Sequence, residues 1–300
     1  MKGELSELEF ELKRLLTPKP SKRKRKGKGK TKRPEEPRRS TKSELAYGFD
    51  YDISTSKKVK SRWGDKYNIA LYGRLGLHCY NFQKGTNYRF VRWQKYSTAL
   101  TADVDYYITL EAMDPARPKT VFGHCDSVFS FQTMLSDAGR TDGIYITWTT
   151  LAARGKCKEA LDDEFDEDTI DDFYKSGVLK WLSDEAMAGD NKKYYVVQES
   201  ELRENDWLQL FMEIGFFSKA KRRLGASPPL EIKKVVIETN EEYITEAREK
   251  LKAKNAIYYI SYKYIGDPSS VWAGDHKSIL RKTMDGKPGH MCLEVADDEE

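Results

Sequence analysis

The octapeptide VDYYITLE at 104–111 constrains the fold more than any other stretch of this 300-residue chain. Tyr106, Ile108 and Leu110 alternate with Tyr107, Thr109 and Glu111. A period of two sends alternate side chains to opposite faces of a sheet, which is the pattern of a half-buried strand. Such a strand has to pair. TNYRFVRWQKYSTAL (86–100) alternates well enough to precede it as a partner, and Pro115 and Pro118 mark the turn that follows. Two more strands are predicted near 119–134 and at 143–151. Beyond them KYYVVQES, DWLQLFMEIGFF, LEIKKVVIET and AIYYISYKY read as four further strands. EEYITEAREKLKAK, between the last two, reads as a helical turn or an extended approach. Ahead of all of these, YNIALYGRLGLHCYNF (67–82) places apolar residues at 69, 70, 72, 75, 77 and 80, which fits a helix entering the core. No internal repeat stands out at a fixed period.

Not all of the chain can belong to that core. Charged residues make up 33% and hydrophobic ones only 39%, so part of the chain is expected to stay unpacked. Between Lys19 and Lys42 stand 13 Lys or Arg against two Glu, a balance of +11. The remainder carries 39 basic and 46 acidic residues, or −7, so an acidic body follows a basic arm. Within 4–16, Leu5, Leu8, Leu12, Leu15 and Leu16 recur at helical spacing and Pro18 ends the pattern. The organisation predicted is therefore a short amphipathic helix at 1–17, a disordered basic linker at 18–44, a folded domain at 45–265 and a loose tail at 266–300. The Gly and Pro content of the tail (Pro268, Gly274, Gly286, Pro288, Gly289) suggests its looseness.

No apolar run approaches the 18 or so residues of a membrane span, and MKGELSELEFELKRLL has no continuous apolar segment of a secretory signal. No membrane partner is expected. Cys79, Cys125, Cys157 and Cys292 lack any paired spacing and read as free thiols of a reducing compartment.

The sharpest functional signal is SKRKRKGKGKTKR. Lys22, Arg23, Lys24, Arg25, Lys26, Lys28, Lys30, Lys32 and Arg33 form a dense basic run suited to the acidic grooves of a nuclear import receptor. The same charges can neutralise nucleic-acid phosphates without reading sequence. No aromatic residue is interleaved with them, so base stacking is not supplied. The nucleus is the expected location, with the cytoplasm as the alternative.

With the strands placed, FVRWQKYSTALTADVDYYITLEAMD resembles the central hairpin of plant cystatins. In that family a Gln-x-Val-x-Gly tip plugs the cleft of papain-like proteases. Laid on that hairpin, the tip falls at Ala99, Leu100, Thr101, Ala102 and Asp103. Here Ala replaces Gln, Thr replaces Val and Asp replaces Gly. Asp103 would carry an unpaired charge into an apolar contact, and the glycine that permits close backbone approach is gone. No Pro-Trp counterpart of the second cystatin loop occurs between 119 and 151.

A longer resemblance runs through LYGRLGLHCYNFQKGTNYRF (71–90), YYITLEAMDPA (106–116), ELRENDWLQLFMEIG (201–215) and LKAKNAIYYISYK (251–263). These blocks resemble, in the same order, a plant family of the cystatin/monellin superfamily, the domain of unknown function 626 family, expanded in mustard-family plants. The resemblance covers about 45–265. It implies an α+β, cystatin-like fold, a helix packed on a curved antiparallel sheet with extra strands, and a setting in embryo or reproductive development. It brings no catalytic or binding residues.

Other chemistry finds weaker footing. His78-Cys79 and His124-Cys125 invite a zinc reading, but adjacent strand residues face opposite ways, and a core histidine beside a buried thiol is the plainer account. The carboxylates between Asp162 and Asp172 lack the glycine and terminal Glu of a calcium loop. No Gly-x-Ser-x-Gly elbow or Walker spacing occurs. The expectation is a noncatalytic plant protein, without cofactor or metal, that binds other proteins or scaffolds them in the nucleus. The alternatives are a cystatin-type cysteine protease inhibitor with degenerate loops and an enzyme working from the sheet's concave face.

Overall fold

The computed structural model describes residues 49, 66–100, 103–116, 128–141, 144–155, 165–175, 179–183, 193–220, 224–241 and 246–296. The expected helix at 1–17, the linker at 18–44 with the basic run 22–33, and His124, Cys125 and Cys157 lie outside them.

A long helix, α1 (Tyr67–Lys84), opens the described core. Gly85 takes up a left-handed backbone (φ 62°) and returns its N–H to the Asn81 carbonyl, which ends the helix without the steric cost a side chain would meet. Four strands follow: β1 (Arg89–Leu100), β2 (Val104–Met113), β3 (Val128–Thr141) and β4 (Ile144–Gly155). A 3-10 turn at Glu167–Thr169, the one-turn helix α2 (Asp172–Lys175), β5 (Tyr194–Val196) and α3 (Glu199–Glu204) lead to the second long helix, α4 (Trp207–Lys219). Then come β6 (Leu230–Glu238), a 3-10 helix at Ala247–Lys252, β7 (Ala256–Tyr264), β8 (Gly274–Thr283) and β9 (Met291–Ala296).

Among the described residues the nine strands form one sheet in the order β1-β2-β3-β4-β9-β8-β7-β6-β5, antiparallel at every junction. The fold is thus mixed α+β on an antiparallel sheet. Its order contains a symmetry. Each half is a long helix followed by a four-stranded meander, α1 with β1–β4 and α4 with β6–β9, and the fourth strands meet at the centre, Trp148 opposite Leu293. The likeness reaches individual residues. Gly76 of α1 lies so close to the third strand of its unit that a Cβ there would stand 1.9 Å from Thr133 Oγ1. Gly215 of α4 lies over Ser278 of β8, also a third strand, with a virtual Cβ 2.6 Å from its Cβ. Both helices are seated through one glycine on one small hydroxyl residue. The repeat lives in the architecture, which is why no fixed period shows in the sequence.

Two expectations require correction. DWLQLFMEIGFF is not a strand but most of α4. Leu208, Leu210, Phe211, Met212, Ile214, Phe216 and Phe217 are all buried, because the helix packs on the sheet and beside α1, with Phe217 against Tyr67 and Tyr72 at 6.0 and 6.3 Å. Apolar residues all round a helix erase the periodic signal that would separate it from a strand. Residues 274–296 are not a loose tail either. They supply β8 and β9, and Ile279, Leu280 and Leu293 are fully buried. Gly274, Gly286 and Gly289, all at positive φ, mark the ends of those strands rather than an unfolded segment.

The helices cover one face of the sheet. On the other, Ile170, Tyr174 and Leu179 pack on Val236, Ile257, Tyr259 and Ile279, so the later part of the acidic stretch is anchored by its few apolar residues. The central hairpin has adjacent antiparallel strands, Leu100 pairing with Val104 and Ala99 with Asp105, while Thr101 and Ala102 of the expected tip lie outside the described residues.

Candidate functional site

A groove with a cavity volume of about 1360 Å³ opens where the two units meet on the helical side. Its walls are the C-terminal half of α1, the turn into β1, the start of α4, the 3-10 helix at Ala247–Lys252 and the β8–β9 turn. Local hydrogen bonds fix each wall. Asn81 Nδ2 donates to the Tyr88 carbonyl at 2.8 Å, while its Oδ1 accepts from Tyr88 N at 3.0 Å and Thr86 Oγ1 at 2.9 Å, so the helix-to-strand turn is clamped by one side chain. Gln83 ties the two units together. Its Nε2 donates to the carbonyls of Lys287 and His290, both at 3.1 Å, and its Oε1 accepts from Gly289 N at 2.6 Å. On the opposite rim Arg248 pairs with Glu204 at 2.6 Å and with Glu201 at 3.3 Å. Trp207 Nε1 donates to Asn205 Oδ1 at 3.0 Å, setting the indole at the mouth of the groove.

Below the groove lies a buried aromatic chamber. His78 stacks on Trp207 with ring centroids 5.2 Å apart and meets Phe211 edge-on at the same distance, and Phe211 meets Tyr258 at 5.1 Å. Into this chamber β8 sends Lys282, whose side chain is fully buried. Its Nζ lies 3.6 Å from the Phe82 ring centre and 5.8 Å from that of Tyr258. Three polar atoms here make no hydrogen bond among the described residues: Lys282 Nζ, His78 Nε2 and Tyr258 OH. Burial dominates their acid–base behaviour. It pulls the Lys282 ammonium down to about 7 against the opposing attraction of Glu241 and Cys79. Burial, reinforced by the charge of Lys282, takes His78 down to about 3. The Cys79 thiol is pushed up to about 12 by burial, so it stays protonated and is a poor nucleophile at neutral pH. The rings touch one another, and His78, Phe82 and Trp207 are the members that also line the groove.

A separate charged network flanks the groove. Glu213, itself buried, accepts from Tyr67 OH at 2.7 Å and from both terminal nitrogens of Arg74 at 2.7 and 3.1 Å. The bidentate geometry holds Arg74 on the groove wall.

The sequence-stated candidates are scattered relative to this site. The tip residues Ala99 and Asp103 belong to the β1–β2 hairpin and do not line the groove; Ser136 Oγ donates to Asp103 Oδ2 at 3.5 Å. His78 and Cys79 are adjacent on α1, both buried, and among the described residues no group of three or more His, Cys, Asp or Glu could hold a metal ion. No helix of the described residues is long and apolar enough to cross a membrane. Lys282, Tyr258 and Trp207 were missed by sequence reasoning. A signal existed for Lys282: it shares parity with Ser278 and Leu280, both buried on the helical side, but reading 266–300 as a tail left the parity unused.

Comparison with known proteins gives the kinship. The family model of Protein MS5 matches residues 178–293, which hold α4, the second meander up to the start of β9, and Lys282. The chain is 42% identical over 257 residues to UPF0725 protein At5g63820 of Arabidopsis thaliana, covering 84% of this chain and 89% of that one. It is 39% identical to UPF0725 protein At4g29550 of the same plant, over 75% of this chain and 62% of the relative. Among solved structures, the crystal structure of MS5 from Brassica napus is similar, with 30% identity, a TM-score of 0.55, and coverage of 76% of this chain and 95% of that chain. These names carry neither the cystatin/monellin superfamily nor the number 626 that the sequence resemblance implied. They agree on something coarser that spans most of the folded region: the chain belongs to the UPF0725 family of plant proteins, the family of protein MS5.

Proposed function

We propose that this chain is a noncatalytic, protein-binding factor of the plant nucleus that captures a segment of a partner protein in the groove between its two units. The groove is the observation that carries the reading. It combines polar side chains such as Asn87 and Gln209 with aromatic surface from Trp207 and Tyr88, and charged rims of both signs. That mixture suits a peptide, whose backbone asks for donors and acceptors and whose side chains ask for apolar contact. Delivery to the nucleus rests on the basic run from Lys22 to Arg33 and an import receptor, and the same run supplies nonspecific affinity for nucleic acid. We take embryo or reproductive development as the setting, the expectation that the family resemblance brought. We also keep the cystatin-like reading of each unit, supported by a long helix ahead of an antiparallel four-strand meander.

Two measurements test the reading. Fluorescent fusions should accumulate in the nucleus and lose that accumulation when the nine Lys and Arg between residues 22 and 33 become Ala; unchanged distribution would refute the targeting. Proximity labelling in plant cells should identify a protein set that shrinks when Lys84 and Arg89, on the groove wall, are both changed to Glu. An unaltered set would overturn the groove as the binding surface.

A further inference from the structure

We propose that the aromatic chamber around Lys282 is a receptor site for a small organic acid, a single carboxylate carried on an aromatic or aliphatic body. This goes beyond protein binding and stands without it. The starting point is a chemical imbalance. An ammonium group has three N–H donors and normally finds acceptors, and buried polar groups without any call for an explanation. Lys282 Nζ is fully buried against the rings of Phe82 and Tyr258, and it, His78 Nε2 and Tyr258 OH have no hydrogen-bond partner among the described residues. The anion that Lys282 senses through space, Glu241, directs its two oxygens to backbone N–H groups: Oε2 to Lys254 at 3.2 Å and Oε1 to Asn255 at 2.8 Å. Among the described residues no hydrogen-bond acceptor meets the Lys282 ammonium.

The lining decides which anion fits. A carboxylate offers two oxygens that accept from the Lys282 ammonium and from the Tyr258 O–H together. Phe82, Trp207 and Phe211 then present ring faces and edges to the rest of the molecule, and these favour an apolar body. A phosphate or sulfate would bring more charge into the same dry walls with too few donors to replace its water. Phe82, with His78 and Trp207, also lines the groove, and its ring covers the ammonium at 3.6 Å, so an acid entering from the groove has to displace that one ring to reach the amine. The competing account is that Lys282 is held there by its contacts with ring faces alone, as a packing element.

Titration of the full chain separates the two accounts. Calorimetry with benzoate and hexanoate, against benzyl alcohol and hexanol as uncharged counterparts, should show both acids binding and each alcohol weaker by about tenfold or more. Tyr258→Phe should weaken the acids while leaving the far-ultraviolet circular dichroism unchanged, and Lys282→Met should abolish their binding. If Lys282→Met does not fold, the Nζ resonance of Lys282 in the unaltered protein gives the same answer, since benzoate should shift it and hold its proton to higher pH. Three results would each overturn the proposal: no binding of either acid at millimolar concentration, acids and alcohols binding alike, or benzoate binding that leaves the Lys282 resonance and the Tyr258→Phe affinity unmoved.

Discussion

Replacing Lys282 by methionine tests the energetics of the chamber without a ligand. Methionine keeps the unbranched stem and puts a polarisable sulfur near the Phe82 and Tyr258 rings, while removing the charge. In the unfolded chain the lysine holds its proton up to its ordinary 10.5; in the folded protein burial brings this to about 7, against the pull of Glu241 and Cys79. Between those two values the unfolded state binds more protons, so stability rises with pH across that window. The whole span is worth roughly 5 kcal/mol, a penalty fully present below pH 7 and absent above the unfolded value. Lys282→Met escapes it. The variant should be the more stable protein at pH 7, and its advantage should shrink by about 1.4 kcal/mol for each pH unit up to pH 10. Urea unfolding of both proteins at pH 7, 8, 9 and 10 reads this directly from the shift of the midpoints at a common slope. The difference between the two proteins cancels the titration of every other group except those coupled to Lys282, namely His78, Cys79 and Glu241. Parallel curves over that range would refute the claim that the amine is desolvated.

Three further outcomes follow from the packing and the electrostatics. Gly76→Ala and Gly215→Ala should each destabilise the protein by about 3 kcal/mol, because a buried strand residue blocks the added methyl group at 1.9 and 2.6 Å, whereas Gly225→Ala, with open space around it, should be near neutral; thermal unfolding of the three variants ranks them. His78 should lower stability as pH falls below its ordinary 6.5 toward about 3, since the unfolded chain takes up a proton there that the buried ring refuses; His78→Phe should flatten that limb in acid titrations followed by circular dichroism. The protein should leave papain uninhibited at micromolar concentration, because Asp103 stands where the cystatin tip has glycine; measurable inhibition would restore the inhibitor reading.

How much of this was legible beforehand depended on which faces of an element were buried. The β1–β2 hairpin could be read because the sequence of β2 alternates, with Ile108 and Leu110 buried and Tyr107 and Glu111 less so, although Thr109 is buried as well. Helix α1 was legible for a related reason, its apolar spacing, and its end at Gly85. Helix α4 was not, since a helix enclosed by sheet and neighbouring helix is apolar on every side. Strands β8 and β9 were hidden by their turns, whose glycines and prolines imitate the composition of a disordered tail. The groove and its chamber needed the pairing of β4 with β9, a contact between residues about 150 positions apart that no local pattern encodes. Lys282 illustrates the loss. A lysine in a sequence is read as surface, and only the register that puts it beside Ala256 and Leu293 reveals it as interior.

The measurement that bears most directly on the groove is site-specific photo-crosslinking in plant cells. A photoreactive residue at Asn87, on the groove wall, should form covalent adducts with a discrete protein partner, while the same residue at exposed Glu231 of β6, away from the groove, should form none. Equal labelling from both positions, or no adduct from Asn87, would contradict the account that this protein works by holding a partner between its two units.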